Sequence, residues 1–140
     1  MVKIRNYKIS DYTKVKEILE EASLFDGVWD SEENLSGKIK ANPESILVAV
    51  KDGVIVGNVC IINYGSKLQY LFRLAVDKDY RNQGIATQLI NSAVDIARKN
   101  GVNEVGLYAD ADNSKLLAYY SKRGFKKSKS RYYYMWQDIK

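Results

Sequence analysis

Histidine is missing from the chain altogether. Histidine-based catalytic triads are therefore excluded, and so are most zinc sites. The single cysteine, Cys60, rules out an intramolecular disulfide and fits a reducing compartment. It lies in VIVGNVCII, an apolar strand pattern with no base nearby in sequence, and reads as a buried structural thiol. Proline occurs once, at Pro43, and the glycines are scattered, so no linker or low-complexity stretch divides the chain. No internal repeat is present. The longest apolar run, Ile46 to Val50, is far too short for a membrane span. The basic N-terminus, MVKIRNYKIS, lacks the apolar stretch of a signal peptide. Together these absences predict a cytoplasmic protein. The Walker and Rossmann glycine patterns are absent too. An enzyme with this inventory has to borrow its reactive group from a cofactor.

What is present describes one globular domain spanning residues 1–140, long enough for a real core. Hydrophobic residues make up 46% of it and charged residues 28%, the balance of a folded soluble protein. The net charge of +5 is unevenly spread. Between Lys16 and Lys38 stand seven acids (Glu17, Glu20, Glu21, Asp26, Asp30, Glu32, Glu33) and no Lys or Arg, which leaves +12 on the remainder. Such a split suits two different ligands, one cationic and one anionic, although solvated helix faces explain any single residue of it.

The pattern of apolar residues predicts β-α-α-β-β-β-α-β-α-β-β. VKIRNY reads as a strand. Ser10 or Asp11 can cap a helix carrying Val15, Ile18, Leu19 and Ala22. Asp30 or Ser31 can cap a second, with Leu35 and Ile39 inward and Gly37 interrupting it. A hairpin turning at Asp52-Gly53 and the run LQYLFRLAV complete a meander. A long helix follows with Ile85, Leu89, Ala93 and Ala97 in one row, ended by Gly101. Next come a strand at VNEVGLYA and a helix SKLLAYYSKR, capped by Asp112 or Asn113 and stopped at Gly124. FKKSKS and RYYYMWQDI are predicted as the last strands. The fold class is α/β: an antiparallel N-terminal meander, a crossover helix and a parallel strand, with about four helices.

The stretch DYRNQGIATQLI joins the third meander strand to the long helix. The first N–H groups of a helix have no internal partner, and the dipole makes that end positive, so an anion can be held there without a lysine. Gly84 allows close backbone approach, Ala86 is small, and Arg81 adds charge at the rim. A pyrophosphate is about the size to span several such amides.

LAVDKDYRNQGIATQLI followed by DNSKLLAYYSKRGF resembles the GNAT superfamily of N-acetyltransferases. The first block matches its acetyl-CoA motif, [QR]-x-x-G-x-[GA] after a strand ending in Ala-Val. The second matches its N-x6-Y-x3-G-F pattern at Asn113, Tyr120, Gly124 and Phe125. The resemblance covers essentially the whole chain and implies a mixed sheet whose parallel strand splays from the meander. It implies acetyl-CoA as acyl donor, a primary amine as acceptor, and no metal. Leu74, Ala75 and Val76 would offer main-chain groups to the pantetheine arm. Asn82, Gln83, Gly84, Ile85, Ala86 and Thr87 would cradle the pyrophosphate, with Arg81 beside them. Asn113 would contact the cofactor, and Tyr120 would sit near the sulfur and protonate the departing thiolate.

The chain departs from the family in its base. The strand LQYLFRLAV carries no acid where many members have a glutamate, and Phe72 or a neighbour stands there. Tyr108 stands where other members carry a glutamate on the next strand. Asp110, solvent water, or an acid between Asp26 and Glu33 all stay open. The acids around Phe25 and Trp29 could draw an ammonium by charge and cation–π contact. A non-catalytic acetyl-CoA-binding domain is one alternative. Nucleic-acid binding is the weaker one, resting on Lys122, Arg123, Lys126, Lys127, Lys129 and Arg131 beside three tyrosines. No membrane partner is expected, and monomer and homodimer are both open.

Overall fold

Five stretches rich in β-branched and aliphatic residues form strands of one sheet: β1 (Val2–Asn6), β2 (Ile46–Lys51), β3 (Val54–Tyr64), β4 (Leu68–Val76) and β5 (Glu104–Leu107). Their order in the sheet follows the chain. Pairing is antiparallel from β1 to β4, and β4 pairs with β5 in parallel. The helices are α1 (Tyr12–Glu21), α2 (Glu32–Ala41), α3 (Ile85–Lys99) and α4 (Ser114–Lys122). This is the predicted mixed sheet with four helices. The structure is a computed structural model describing residues 1–139, and it comprises two units, Met1–Tyr108 and Ala109–Lys140. The first holds the whole sheet and α1 to α3; the second holds α4.

Both faces of the sheet are covered, which explains why β2 and β3 read as nearly continuous apolar runs. Ile46 and Val48 of β2 join Val15, Ile18 and Leu19 of α1 and Leu35 of α2 in one cluster. Leu47 and Ala49, of opposite parity, are buried as well. On that second face a Cβ at Gly57 would meet Leu89 at 3.2 Å and Ile85 at 3.3 Å, so α3 lies directly on the strand. Each fully buried Leu or Ile here contributes about 1.5–3 kcal/mol.

Local signals account for the boundaries. Asp52 and Gly53 both have positive φ (51° and 77°), as the two-residue hairpin turn demands. After α3, Gly101 donates to the Arg98 carbonyl at 3.1 Å and Val102 to that of Ala97 at 2.9 Å, a Schellman ending with Gly101 at φ 71°. Of the two caps proposed for α2, Ser31 is the one used, accepting from the Asn34 N–H at 3.1 Å.

Two expectations need correction. Asp11 precedes α1, yet its carboxylate caps nothing in that helix. It accepts from Lys8 N–H at 2.9 Å and from Arg5 at 2.7 Å, because a short 3-10 turn at Ile9–Asp11 aims it back toward β1. The two C-terminal strands do not form among residues 125–139. Alternation describes a face but provides no ladder partner, and the stretch carries Lys126, Lys127, Lys129 and Arg131 close together. Tyr132, Tyr133 and Tyr134 are 77%, 94% and 70% exposed.

Candidate active site

The parallel pairing of β4 with β5 runs only from Leu68↔Glu104 to Leu71↔Leu107, while β4 continues to Val76. The strands thus fork, and the edge of β4 from Phe72 to Val76 has no β5 neighbour. An extended chain can add to such an edge. A β-bulge starts at the same point. The β3–β4 register passes from Asn58↔Ala75 to Cys60↔Phe72, which leaves Arg73 and Leu74 opposite Val59 alone. Arg73 takes φ 56°, a left-handed conformation that disfavours a side chain by about 1–2 kcal/mol.

Side chains pin the bulge. Asn58 Nδ2 donates to the Arg73 carbonyl at 2.8 Å. Arg73 Nε lies 3.1 Å from both carboxylate oxygens of Asp30, and a terminal guanidinium nitrogen lies 3.1 Å from Asp30 Oδ2. The side chain of Asp30 is 3% exposed and that of Arg73 is 16% exposed. Asp30 Oδ2 also accepts from the Asp26 N–H at 2.8 Å, so the loop between α1 and α2 is tied to the bulge. Asp30→Ala is expected to lower unfolding stability by about 3 kcal/mol in denaturant titration, since it leaves a mostly buried guanidinium uncompensated.

From β4 the chain enters a 3-10 turn at Lys78–Tyr80, opened by Asp77, which accepts from the Asp79 N–H at 3.0 Å. The loop to α3 then alternates left-handed residues, Asn82 at φ 63° and Gly84 at φ 78°. Gly84 occupies the N-cap with no side chain to cap the helix. The first-turn amides of Ile85 and Ala86 therefore have no intrahelical acceptor and no capping side chain. Gln83 is held from outside, its Oε1 accepting from Lys51 Nζ at 2.8 Å.

Arg81 is not a free rim charge. It donates to Glu21 of α1 at 2.6 Å and through Nε to the Val76 carbonyl at 3.2 Å. Arg81 thus already occupies the carbonyl of one of the three residues expected to meet pantetheine. Ala75 is buried in the α1/α2 cluster, so only its main chain is available to a ligand.

In the second unit, Asn113 caps α4, its Oδ1 accepting from the Leu116 N–H at 3.0 Å. Tyr120, Gly124 and Phe125 form one helix ending. Gly124, at φ 90°, donates to the Ser121 carbonyl at 3.1 Å, and Phe125 donates to that of Tyr120 at 3.2 Å. The Tyr120 and Phe125 rings meet edge to face at 5.7 Å, the apolar contact that accompanies this ending. Burial, and then Tyr119, raise the Tyr120 hydroxyl above the ordinary tyrosine value, so it stays protonated through neutral pH. Tyr119 instead carries the Arg123 guanidinium 3.4 Å from its ring centre.

The segment read from sequence as able to draw an ammonium is already engaged within the chain. The aromatic faces proposed for an ammonium already hold cations of the chain, Lys16 at 5.4 Å from the Phe25 centroid and Arg73 at 5.8 Å from that of Trp29. Asp30 is committed to Arg73. Asp26 accepts from the Trp29 and Val28 N–H groups, which lower its pKa below the usual carboxylate value. Asp110 accepts from the Asp112 N–H at 2.9 Å in the turn before α4. Cys60 is buried, and burial pushes its thiol up to about 12, as a structural thiol requires.

Sequence reasoning passed over Tyr70. Its ring stacks on Tyr108 at the fork, with centroids 5.9 Å apart and planes 16° from parallel. Desolvation, and then Tyr108, raise the Tyr70 hydroxyl. Gly106 stands across the strand from it, where a Cβ would come within 3.3 Å of the ring. The signal available in sequence was an aromatic of matching parity on each of the two strands that part.

The Acetyltransferase (GNAT) family profile matches residues 4–125. N-alpha-acetyltransferase 30 of Schizosaccharomyces pombe is 33% identical over 96 residues, covering 66% of this chain and 64% of that protein. N-alpha-acetyltransferase MAK3 of Arabidopsis thaliana is 33% identical over 96 residues, covering 66% of this chain and 50% of that one. The match thus spans about half to two thirds of the length of these relatives. Among solved structures, the PaiA N-acetyltransferase of Thermoplasma acidophilum in complex with coenzyme A superimposes with a TM-score of 0.80 at 24% identity, over 94% of this chain and 93% of that one. The Ard1 structure from Thermoplasma volcanium gives 0.77 at 24% identity, over 91% and 84%. With a profile match across most of its length, the chain belongs to the Acetyltransferase (GNAT) family.

Proposed function

We propose that residues 1–140 act as one acetyltransferase domain that moves the acetyl group of acetyl-CoA to a primary amine. The family match crosses the boundary at residue 108, which supports treating the two units as one functional domain. The observation that carries the reading is the open edge of β4, which leads through a 3-10 turn and a left-handed loop to a helix start whose N-cap, Gly84, has no side chain. That edge suits the amide-bearing pantetheine arm, with the main chain of Leu74 and Ala75 and the Val76 N–H as the groups offered to it. The amides from Asn82 to Thr87 suit the pyrophosphate, and the family pattern assigns Asn113 to the cofactor. The relatives' names favour the α-amine of a peptide as acceptor.

Chemically, a neutral amine attacks the thioester carbonyl, the carbon–sulfur bond breaks, and the thiolate leaves. Tyr120, protonated well past neutral pH, is the proton donor to that thiolate. Tyr70 and Tyr108 offer hydroxyls at the fork that orient the acceptor or a water. Tyr70 is not a base at neutral pH, because its hydroxyl is displaced upward. A turnover screen with acetyl-CoA tests the reading, using free-thiol release against a peptide with a free α-amine, the same peptide blocked, and a polyamine. Turnover confined to free amines supports it. Tight acetyl-CoA binding with no turnover on any amine would favour a sensor domain instead. A cytoplasmic location is the reading that its free thiol, Cys60, supports.

Tyr120→Phe is expected to lower kcat about tenfold with a smaller change in KM for acetyl-CoA, because the hydroxyl matters as the thiolate forms. Tyr119→Phe should leave both nearly unchanged. Steady-state kinetics on the two variants check this, and a reversed order would move the donor role to Tyr119.

A further inference from the structure

A half-buried lysine with no anion beside it needs an explanation. Lys38 stands on α2 between Leu35, a member of the core cluster, and Ile39, which packs against it. Its Nζ donates to the Ile61 carbonyl and lies 5.4 Å from the centre of the Phe72 ring. That carbonyl is available because β2 begins only at Ile46, opposite Cys60. The Ile61 N–H donates to the Ser45 carbonyl at 2.7 Å, but the Ser45 N–H turns back to Asn42 at 3.0 Å. The bond to Ile61 uses one of the three N–H donors of the ammonium. Asp30 is taken by Arg73, and among the described residues no carboxylate forms an ion pair with Lys38. Burial accordingly lowers its pKa.

The surroundings of this cation are those of the fork. Phe72 is the first residue of β4 beyond the pairing with β5. It stands opposite Cys60 on β3, and Tyr70 stands opposite Ile62. Strand alternation puts all four side chains on one face, the face that carries the α1/α2 cluster. Lys38 marks the margin of that cover. Cys60 is buried and Phe72 packs against the cluster, whereas Ile62 and the Tyr108 that stacks on Tyr70 are exposed. An acceptor seated over Tyr70 and Tyr108 therefore lies alongside a cation that lacks a counter-ion.

We propose that Lys38 is a specificity-determining residue that binds a carboxylate of the acceptor, so that the preferred substrate is a peptide with a free α-amine and an Asp or Glu within its first few residues. This rests on the acetyltransferase reading above. Water screens a half-buried ammonium less than a surface one, so an opposite charge beside it is held more strongly. The Ile61 carbonyl and the Phe72 ring already hold the lysine in place, so less ordering remains to oppose the pairing.

Steady-state kinetics on matched peptides test this, with one Glu walked through positions two to four of a Gln parent and a Lys series for comparison. In the wild-type protein the best Glu peptide should exceed the parent by about tenfold or more in kcat/KM, mainly through KM, and its Lys counterpart should fall below the parent. In Lys38→Gln the Glu-to-Gln ratio should shrink to within about twofold, and in Lys38→Glu the preference should turn to the Lys peptide. If Lys38→Glu does not fold, Lys38→Gln and Lys38→Met carry the test, because each reads a ratio within one protein. A lowered melting temperature with the Glu preference intact would mean that Lys38 only caps the Ile61 carbonyl, overturning the inference. Wild-type protein indifferent to the Glu would overturn it as well. No turnover of any free amine would overturn the acetyltransferase reading itself, and this inference with it.

Discussion

For a simple alkylamine acceptor, kcat/KM should climb about tenfold per pH unit from neutrality and level only near about 10, the pKa of the free amine by analogy with lysine. Between pH 7 and 10 the gain is about 500-fold, and it reaches about a thousandfold on the plateau above. This is the profile produced when the ammonium loses its proton to solvent before the amine attacks. The carboxylates whose titration is displaced, Asp11, Asp26 and Asp77, are all lowered, two of them by backbone N–H groups above all and Asp11 by Arg5 and Lys8 against the cost of burial. A lowered carboxylate is ionised on both sides of neutrality and gives no limb there. A base raised toward neutrality would instead produce an acidic limb near about 6–7 with a plateau above it. The tyrosines at issue, Tyr70 and Tyr120, are raised and remain protonated through the same range. A peptide α-amine, near about 8 when free, should level correspondingly earlier. A limb near neutrality that stays put when the acceptor's pKa changes would defeat this account. Lys38, lowered by burial and donating to the Ile61 carbonyl, is the group whose substitution should then be examined first.

Gly84→Val should reduce acetyl-CoA affinity by a hundredfold or more, read by calorimetry on folded protein. Two effects add. At φ 78° a β-branched residue is strained, by about 1–2 kcal/mol for a left-handed conformation, and the loop relaxes away from the alternating geometry that presents the amides. The methyl groups would also project into the space a diphosphate needs beside those amides, where a Cβ now meets no protein atom within 4 Å. Some loss of stability is expected alongside, so Gly84→Ala serves as the milder control. Arg81→Ala should weaken binding much less. Arg81 is already paired with Glu21 and the Val76 carbonyl, and exposed pairs of this kind are worth about 0–1 kcal/mol. Unchanged affinity in folded Gly84→Val would remove the pyrophosphate from this loop.

The chain's own letters determined much of this. Hydrophobic period placed α1, α2, α3 and the meander, because two-sided burial and a single apolar helix face leave unmistakable patterns. Asp52-Gly53, Gly101 and Gly124 marked their turns, since left-handed backbone selects glycine, asparagine and aspartate. The left-handed glycine of R-x-x-G-x-A, Gly84, was legible for the same reason. Only the tertiary structure decided the rest. Asp30 read as a helix cap or a free acid until Arg73, distant in sequence, claimed it. Arg81 read as a free charge until α1 brought Glu21 against it. The bulge at Arg73, the hydrogen bond from Asn58 and the stacking of Tyr70 on Tyr108 depend on which strands lie side by side and where they part. RYYYMWQDI alternates as a strand should, yet forms none among the described residues. Periodicity is a property of one segment, whereas a ladder, an ion pair or a ring stack needs a partner whose position no single segment encodes.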